Sequence, residues 1–311
     1  MKRKINRIGK NSLSVSLPQE LAEKCELKVN EEVEIEEKDG NIIISKTNIE
    51  KRIKRIILDL SNVDRNIGKY LRACYKCGYD EVEIHFKDSC LFTDVSSMIK
   101  ELIGFEIISQ RPGYYLIKNV ASPIKKTFLD LLEKNYQITI KMADDILKSF
   151  KDNNSESLTE IELQEAIQNK LTSAGFRLII EDGENVVKGS YFNYTILSLL
   201  ETIADNFKYI CQYYSNKKIE LSLEAENVFK LVISFLKDTY RMYLDHNVNH
   251  SFGGLRKINH DELTQFIETA PNHEKMLGSY LLIIYLIVYD IRREIYPLLL
   301  EEININNQNN R

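Results

Sequence analysis

The sequence predicts a multidomain, mainly α-helical protein in which a small β-hairpin unit and a small α/β module precede two three-helix bundles in tandem. Three observations carry that expectation. Residues 2–46 alternate with the two-residue period of strands, the pattern from Glu50 to Val120 switches between strand and helix, and from Ser122 to about Glu302 helix follows helix. The domains expected are therefore 1–48, 49–120 and 121–302, the last split into repeats at about 121–215 and 216–302, with 303–311 a disordered tail.

Residues 2–46 come first. A basic strand carrying Arg3, Lys4, Arg7 and Lys10 leads to LSVSL, and Pro18 opens a short helix, PQELAEK, where its missing N–H does no harm. VEIEE and NIIIS follow as a hairpin turning at Asp39-Gly40. So few apolar residues cannot close a core, so this unit is expected to pair with another chain. Charge is partitioned: five cations and no acid precede Pro18, whereas the second hairpin is acidic, which leaves one basic edge.

The order of a basic strand, S-x-S-L-P-x-E-L from Ser14 to Leu21, E-V-E-I-E from Glu32 to Glu36 and a D-G turn resembles the AbrB-like, swapped-hairpin DNA-binding family. The resemblance implies a homodimer of interlaced strands with a cationic surface on DNA. It carries over Arg3, Lys4, Arg7 and Lys10 as phosphate contacts, with Asn11 and Ser12 in the adjacent loop. Glu26 and Asn30 stand where glycine is usual in that family. A solvated edge that merely blocks aggregation is the competing reading of the basic strand.

The middle module reads as strand, helix, strand, helix, strand, strand. IKRIILDL is followed by Ser61 and Asp64 as a capping-box-like helix start, Gly78 ends that helix, and EVEIHF alternates as a half-buried strand. FTDVSSMIKELI is a second helix, and GFEIISQ and YYLIKNV form a hairpin around Arg111-Pro112-Gly113. Cys74 and Cys77, with His85 and Cys90 beyond, have ligand-like spacing. Cys74 also shares an apolar stripe with Ile67 and Leu71, so a core cysteine competes with a metal or redox site.

The helical part opens at Ser122-Pro123 and has a second start at Ser157 and Glu160. At its centre lies Gly189 to Ser215, with Ser190 as the cap. Leu197, Leu200, Ala204, Phe207, Cys211 and Tyr214 draw one apolar stripe, and Glu201 and Asp205 project together beside it. Like charges at that spacing cost a few tenths of a kcal/mol, so the pair needs solvent or a cation. Eighty-five positions on, Val288, Asp290 and Ile295 fall where Ile203, Asp205 and Ile210 fell, the mark of a duplicated unit. Further helices are expected at about 219–245, 260–270 and 274–302. His246 and His250 read as surface loop before ligand pair, and His260-Asp261-Glu262 as a helix start.

A helical duplication behind such an N-terminus resembles the archaeal type of PhoU, the phosphate-uptake regulator. G-Y-D-E-V-E-I (Gly78 to Ile84) and L-I-G-F-E-I (Leu102 to Ile107) are similar to its middle module. The resemblance implies an E-x-x-x-D metal motif in each repeat, for iron, zinc or magnesium. Glu201 and Asp205 match it; the second copy keeps Asp290, has Leu286 at the glutamate position, and offers Glu294 one turn on. One intact pair also arises often on solvated helix faces.

Composition bounds the function. A net charge of −4 gives no global pull toward nucleic acid, so any such contact is local. Five cysteines and no apolar run behind MKRKINRIGK suggest a reducing cytoplasm, and no run reaches the roughly 20 residues that cross a bilayer. No Walker A loop, G-x-G-x-x-G, G-x-S-x-G or H-E-x-x-H occurs, so a non-enzymatic protein is expected. The leading expectation is a DNA-binding regulator of phosphate homeostasis that docks on a phosphate transporter ATPase or signalling protein, and meets the membrane only through that partner. A helical adaptor whose N-terminus only dimerises comes next, and a carboxylate-bridged metal enzyme last.

Overall fold

In the computed structural model, residues 2–38, 40–46, 53–61, 67–87, 92–120, 127–182, 189–215, 217, 221–245 and 259–309 are described. The chain divides into two compact units, Met1–Ile53 and Lys54–Arg311.

The first unit holds two antiparallel hairpins, β1 (Ile5–Ile8) with β2 (Ser12–Val15) and β3 (Val33–Lys38) with β4 (Asn41–Lys46), separated by α1 (Gln19–Lys24). Each hairpin is its own two-stranded sheet. Pro18 sits one position earlier than expected, as the cap of α1. At the second turn Gly40 takes φ +75° and its N–H donates to Glu37 Oε1 at 2.7 Å. No described residue of 2–46 is buried. Leu13 is 70% exposed and Ile42 74%, so the apolar side chains of both hairpins lack a core to share.

The second unit begins with β5 (Arg55–Asp59), α2 (Ile67–Lys76), β6 (Glu81–His85), α3 (Phe92–Ile99), β7 (Phe105–Arg111) and β8 (Tyr114–Asn119). The strands form one sheet in the order β5-β6-β8-β7, with β5 and β6 parallel and the other pairs antiparallel. A parallel pair needs a crossover, and α2 supplies it. Leu71, Tyr75, Val82, Ile84, Val95, Phe105, Tyr115 and Ile117 make its core. Gly78, at φ +76°, stops α2 as expected. The Ser61 N–H donates to Asp59 Oδ1; residues 62–66, with the start expected at Ser61 and Asp64, lie outside the described residues, and α2 is described from Ile67. Gly113 turns the last hairpin at φ +74°, where a Cβ would lie 2.7 Å from the Phe86 carbonyl oxygen.

Among the described residues six helices follow: α4 (Phe128–Lys151), α5 (Glu156–Asp182), α6 (Ser190–Tyr214), α7 (Leu223–Asp245), α8 (His260–Thr269) and α9 (Asn272–Asn309). The helix α6 lies at the middle, packed on α4, α5 and α9. All six stripe residues of α6, Leu197 through Tyr214, are buried, as the spacing predicted. The two sets of three share one continuous core, in which Ile203 and Ile210 of α6 join Val288 and Ile295 of α9.

Several starts and stops differ from the sequence reading. Ser122 and Pro123 lie outside the described residues, and α4 starts at Phe128, where Thr127 and Asp130 form a reciprocal capping box. Ser190 is the first helical residue rather than the cap; Gly189, at φ +60°, holds the position before it. Helix α5 begins at Glu156, and the Ser157 N–H donates back to Asn154 Oδ1, so Ser157 is not a cap. Helix α9 is described as far as Asn309. The middle module and the helices lie within one compact unit, Lys54–Arg311.

Arg177 of α5 explains that union. Its guanidinium donates to the carbonyls of Tyr75 (3.3 Å) and Tyr79 (2.7 Å), pairs with Asp80 and Glu181 at 2.7 Å each, and lies over the Tyr75 and Phe105 rings. The whole residue is 3% exposed. Backbone carbonyls at the end of α2 thus hold the cation at the foot of the sheet.

Candidate functional site

Two places carry the expected chemistry. At the N-terminus, Arg3 and Lys4 precede β1, Arg7 lies on β1, Lys10 and Asn11 occupy the turn after Gly9, and Ser12 begins β2. All six are exposed, and none of the four cations forms an ion pair with a described residue. Arg7 stands across from Leu13 and shares a pleat face with Ile5 and Val15, whereas Ser12 faces Ile8 on the other side. The basic residues gather at one hairpin, and of the four cations only Arg7 lies within a described strand. Glu26 (φ +54°) and Asn30 (φ +65°) both adopt the left-handed backbone that glycine would take, so the turns are kept although the residues differ.

The second place lies between α2, α5 and α6. Lys208 donates to Glu165 Oε1 at 2.7 Å and to Asp205 Oδ1 at 3.2 Å, and Asn169 also donates to Glu165 at 2.6 Å. Glu165 is 6% exposed, so its charge needs this partner. Burial works against the charge on Lys208, yet its bonds to Glu165 and Asp205 raise its pKa above the ordinary lysine value. Glu201 turns instead toward Lys76, 3.8 Å away, whose ammonium also lies over the Phe176 ring. Burial, only partly offset by Lys76, raises the Glu201 pKa above 4.5.

These residues do not fit a metal. The ammonium of Lys208 bridges Glu165 and Asp205, and Glu201 pairs with Lys76 instead, so each carboxylate of the expected pair already has its own cation. In the other repeat Asp290 pairs with Arg293 at 3.4 Å, and no group of three or more His, Cys, Asp or Glu able to hold a metal occurs among the described residues. Glu294, one turn beyond Asp290, brings no third carboxylate. Sequence reading found Glu201 and Asp205 but missed Glu165 and Lys208. Lys208 was within reach, three residues after Asp205; Glu165 comes from another helix, and no local pattern announces it.

The cysteine reading resolves toward the core. Cys74 is buried in line with Ile67 and Leu71, and burial pushes its thiol up to about 11. Cys77 is exposed, and His85 Nε2 lies 2.8 Å from Glu83 Oε1. Cys90, His246 and His250 lie outside the described residues. The His260 segment does start a helix, capped by Asn259, whose Oδ1 accepts from the Glu262 N–H at 2.8 Å.

With this geometry in view, comparison with known proteins adds one finding. Residues 7–52 match the family described as antidote-toxin recognition MazE, bacterial antitoxin. That is the hairpin segment, and it is similar to a family of the swapped-hairpin type. No curated protein and no solved structure matches the chain. Among the described residues no helix is long and apolar enough to cross a membrane.

Proposed function

We propose that the chain is a non-enzymatic, cytoplasmic, DNA-binding regulator that acts as a homodimer through its N-terminal hairpins. One observation carries the reading: five cations and no acid precede Pro18, on an antitoxin-like hairpin whose Arg3, Lys4, Arg7 and Lys10 have no described ion-pair partner. Phosphates are the natural counterions of such a segment, and releasing their condensed cations drives binding. The helical part would serve phosphate homeostasis in the PhoU manner, relaying phosphate status to a transporter ATPase or signalling protein. Its support is the order three helices plus three, and the echo of Asp205 with Lys208 in Asp290 with Arg293.

Gel retardation of genomic duplexes over a salt series tests the DNA half. The slope of log affinity against log salt should fall by roughly three per subunit when Arg3, Lys4 and Arg7 become alanine, about one for each lost phosphate contact. An unchanged slope would remove these residues from the account. For the phosphate half, pull-down from phosphate-replete and phosphate-starved cells should recover different DNA or protein partners. Identical recovery would leave only the DNA half standing. A second reading, a helical adaptor whose N-terminus only dimerises, is favoured by Arg7 sharing its face with Ile5, Leu13 and Val15. Negligible affinity for every duplex at low salt would select it.

A further inference from the structure

We infer that the outward face of α9 from Ile283 to Leu300 is a self-complementary docking surface for a second copy of this chain, the two α9 helices lying antiparallel with Asp290 of each facing Arg293 of the other.

The duplication explains why no described element covers this face. In the first set, α5 runs the length of α6 and covers the side that bears Tyr194, Leu197 and Lys208: Phe176 meets Tyr194 at 4.3 Å between ring centres, Gly175 lets Leu197 close in, and Glu165 meets Lys208. Eighty-five positions on, the same side of α9 bears Ser279, Leu282 and Arg293. The helix that corresponds to α5 is α8, and it has 10 residues where α5 has 27. It reaches the start of α9, where Ile267 and Phe266 crowd Gly278. Beyond it, Ile283, Leu286, Tyr289, Tyr296 and Leu300 stand exposed, spread over roughly 25 Å of helix. Monomers rarely leave so long an apolar stripe in water.

The order of residues says what covers it. About the midpoint between Ile291 and Arg292, two mirror pairs are complementary: the opposite charges of Asp290 and Arg293, and the apolar Ile283 and Leu300. Two copies laid antiparallel about that point set Asp290 against Arg293, Tyr289 against Glu294, Ile287 against Tyr296 and Ile283 against Leu300. A twofold contact requires this property, because each residue must suit its mirror position. Within one chain Arg293 has Asp290 at 3.4 Å and keeps 69% of its side chain exposed. The second copy's acid would complete it as Glu165 completes Lys208.

Disulfide trapping in the full chain, with exposed Cys25 and Cys77 changed to serine, tests the contact. Ile283→Cys with Leu300→Cys should give a covalent dimer under mild oxidation, while either change alone, which leaves like positions about 25 Å apart, should not. Adding Asp290→Arg or Arg293→Asp opposes like charges and should lower the yield at least about ten-fold, and making both changes together should restore it. Both positions are exposed, so the fold is preserved in every variant. A double-cysteine variant that links no better than the singles, or a yield indifferent to the charge series, overturns the inference. Protection of this face from hydrogen exchange without linkage also overturns it, by assigning the face to another occupant.

Discussion

Arg177 shows how much one side chain can hold, and how little of that a local sequence pattern reveals. Its acceptors Tyr75 and Tyr79 lie 102 and 98 positions earlier in the chain, so nothing near it in sequence marks it as more than a basic residue on a helix. Removing it leaves Asp80, Glu181 and two carbonyls facing a void. Arg177→Ala should therefore cost about 3–5 kcal/mol, measured by denaturant unfolding. Glu26 is the opposite case, legible because glycine is expected there, and its φ of +54° bears that out. Glu26→Gly should relieve left-handed strain and stabilise the N-terminal unit by roughly 0.5–1 kcal/mol, seen as a higher midpoint for the hairpins. Glu201 adds a pH dependence. Its folded pKa lies above 4.5, so the folded chain binds the proton more tightly than the unfolded chain does. The stabilisation is full below 4.5 and is lost as pH rises through the folded value, and Glu201→Gln should flatten that part of the stability profile.

Among the elements, those with a strong period were legible and those set by neighbours were not. The stripe of α6 could be read directly, because three- and four-residue spacing fixes which face must hide. The strands β6, β7 and β8 followed from alternation, from Gly78 closing the helix before β6 and from the turn at Gly113 between β7 and β8. The start of α4 was read at Ser122-Pro123, whereas Thr127 and Asp130 close on each other as its capping box. Thr127→Ala should cost about 1 kcal/mol and speed hydrogen exchange in the first turn of α4. Glu201 and Asp205 were legible as a pair but not as a site. They part company across the helix interfaces: Asp205 shares the half-buried Lys208 with Glu165, while Glu201 pairs with Lys76.

For the whole molecule, the division at Ile53 matters more than any single site. The second unit has a core running through α4, α6, α7 and α9 and can stand by itself. The first has no buried side chain among its described residues. Its folded form must then draw on association, so its melting midpoint should rise with protein concentration. A midpoint for the hairpins that does not move between low and high micromolar protein would contradict this. The consequence reaches into the cell: when copies are scarce, newly made chains would carry a finished helical body and an unfinished N-terminal arm, and the arm would become competent only past a threshold of abundance. Expression level would thus act as a dial on this protein, set by mass action before any signal arrives.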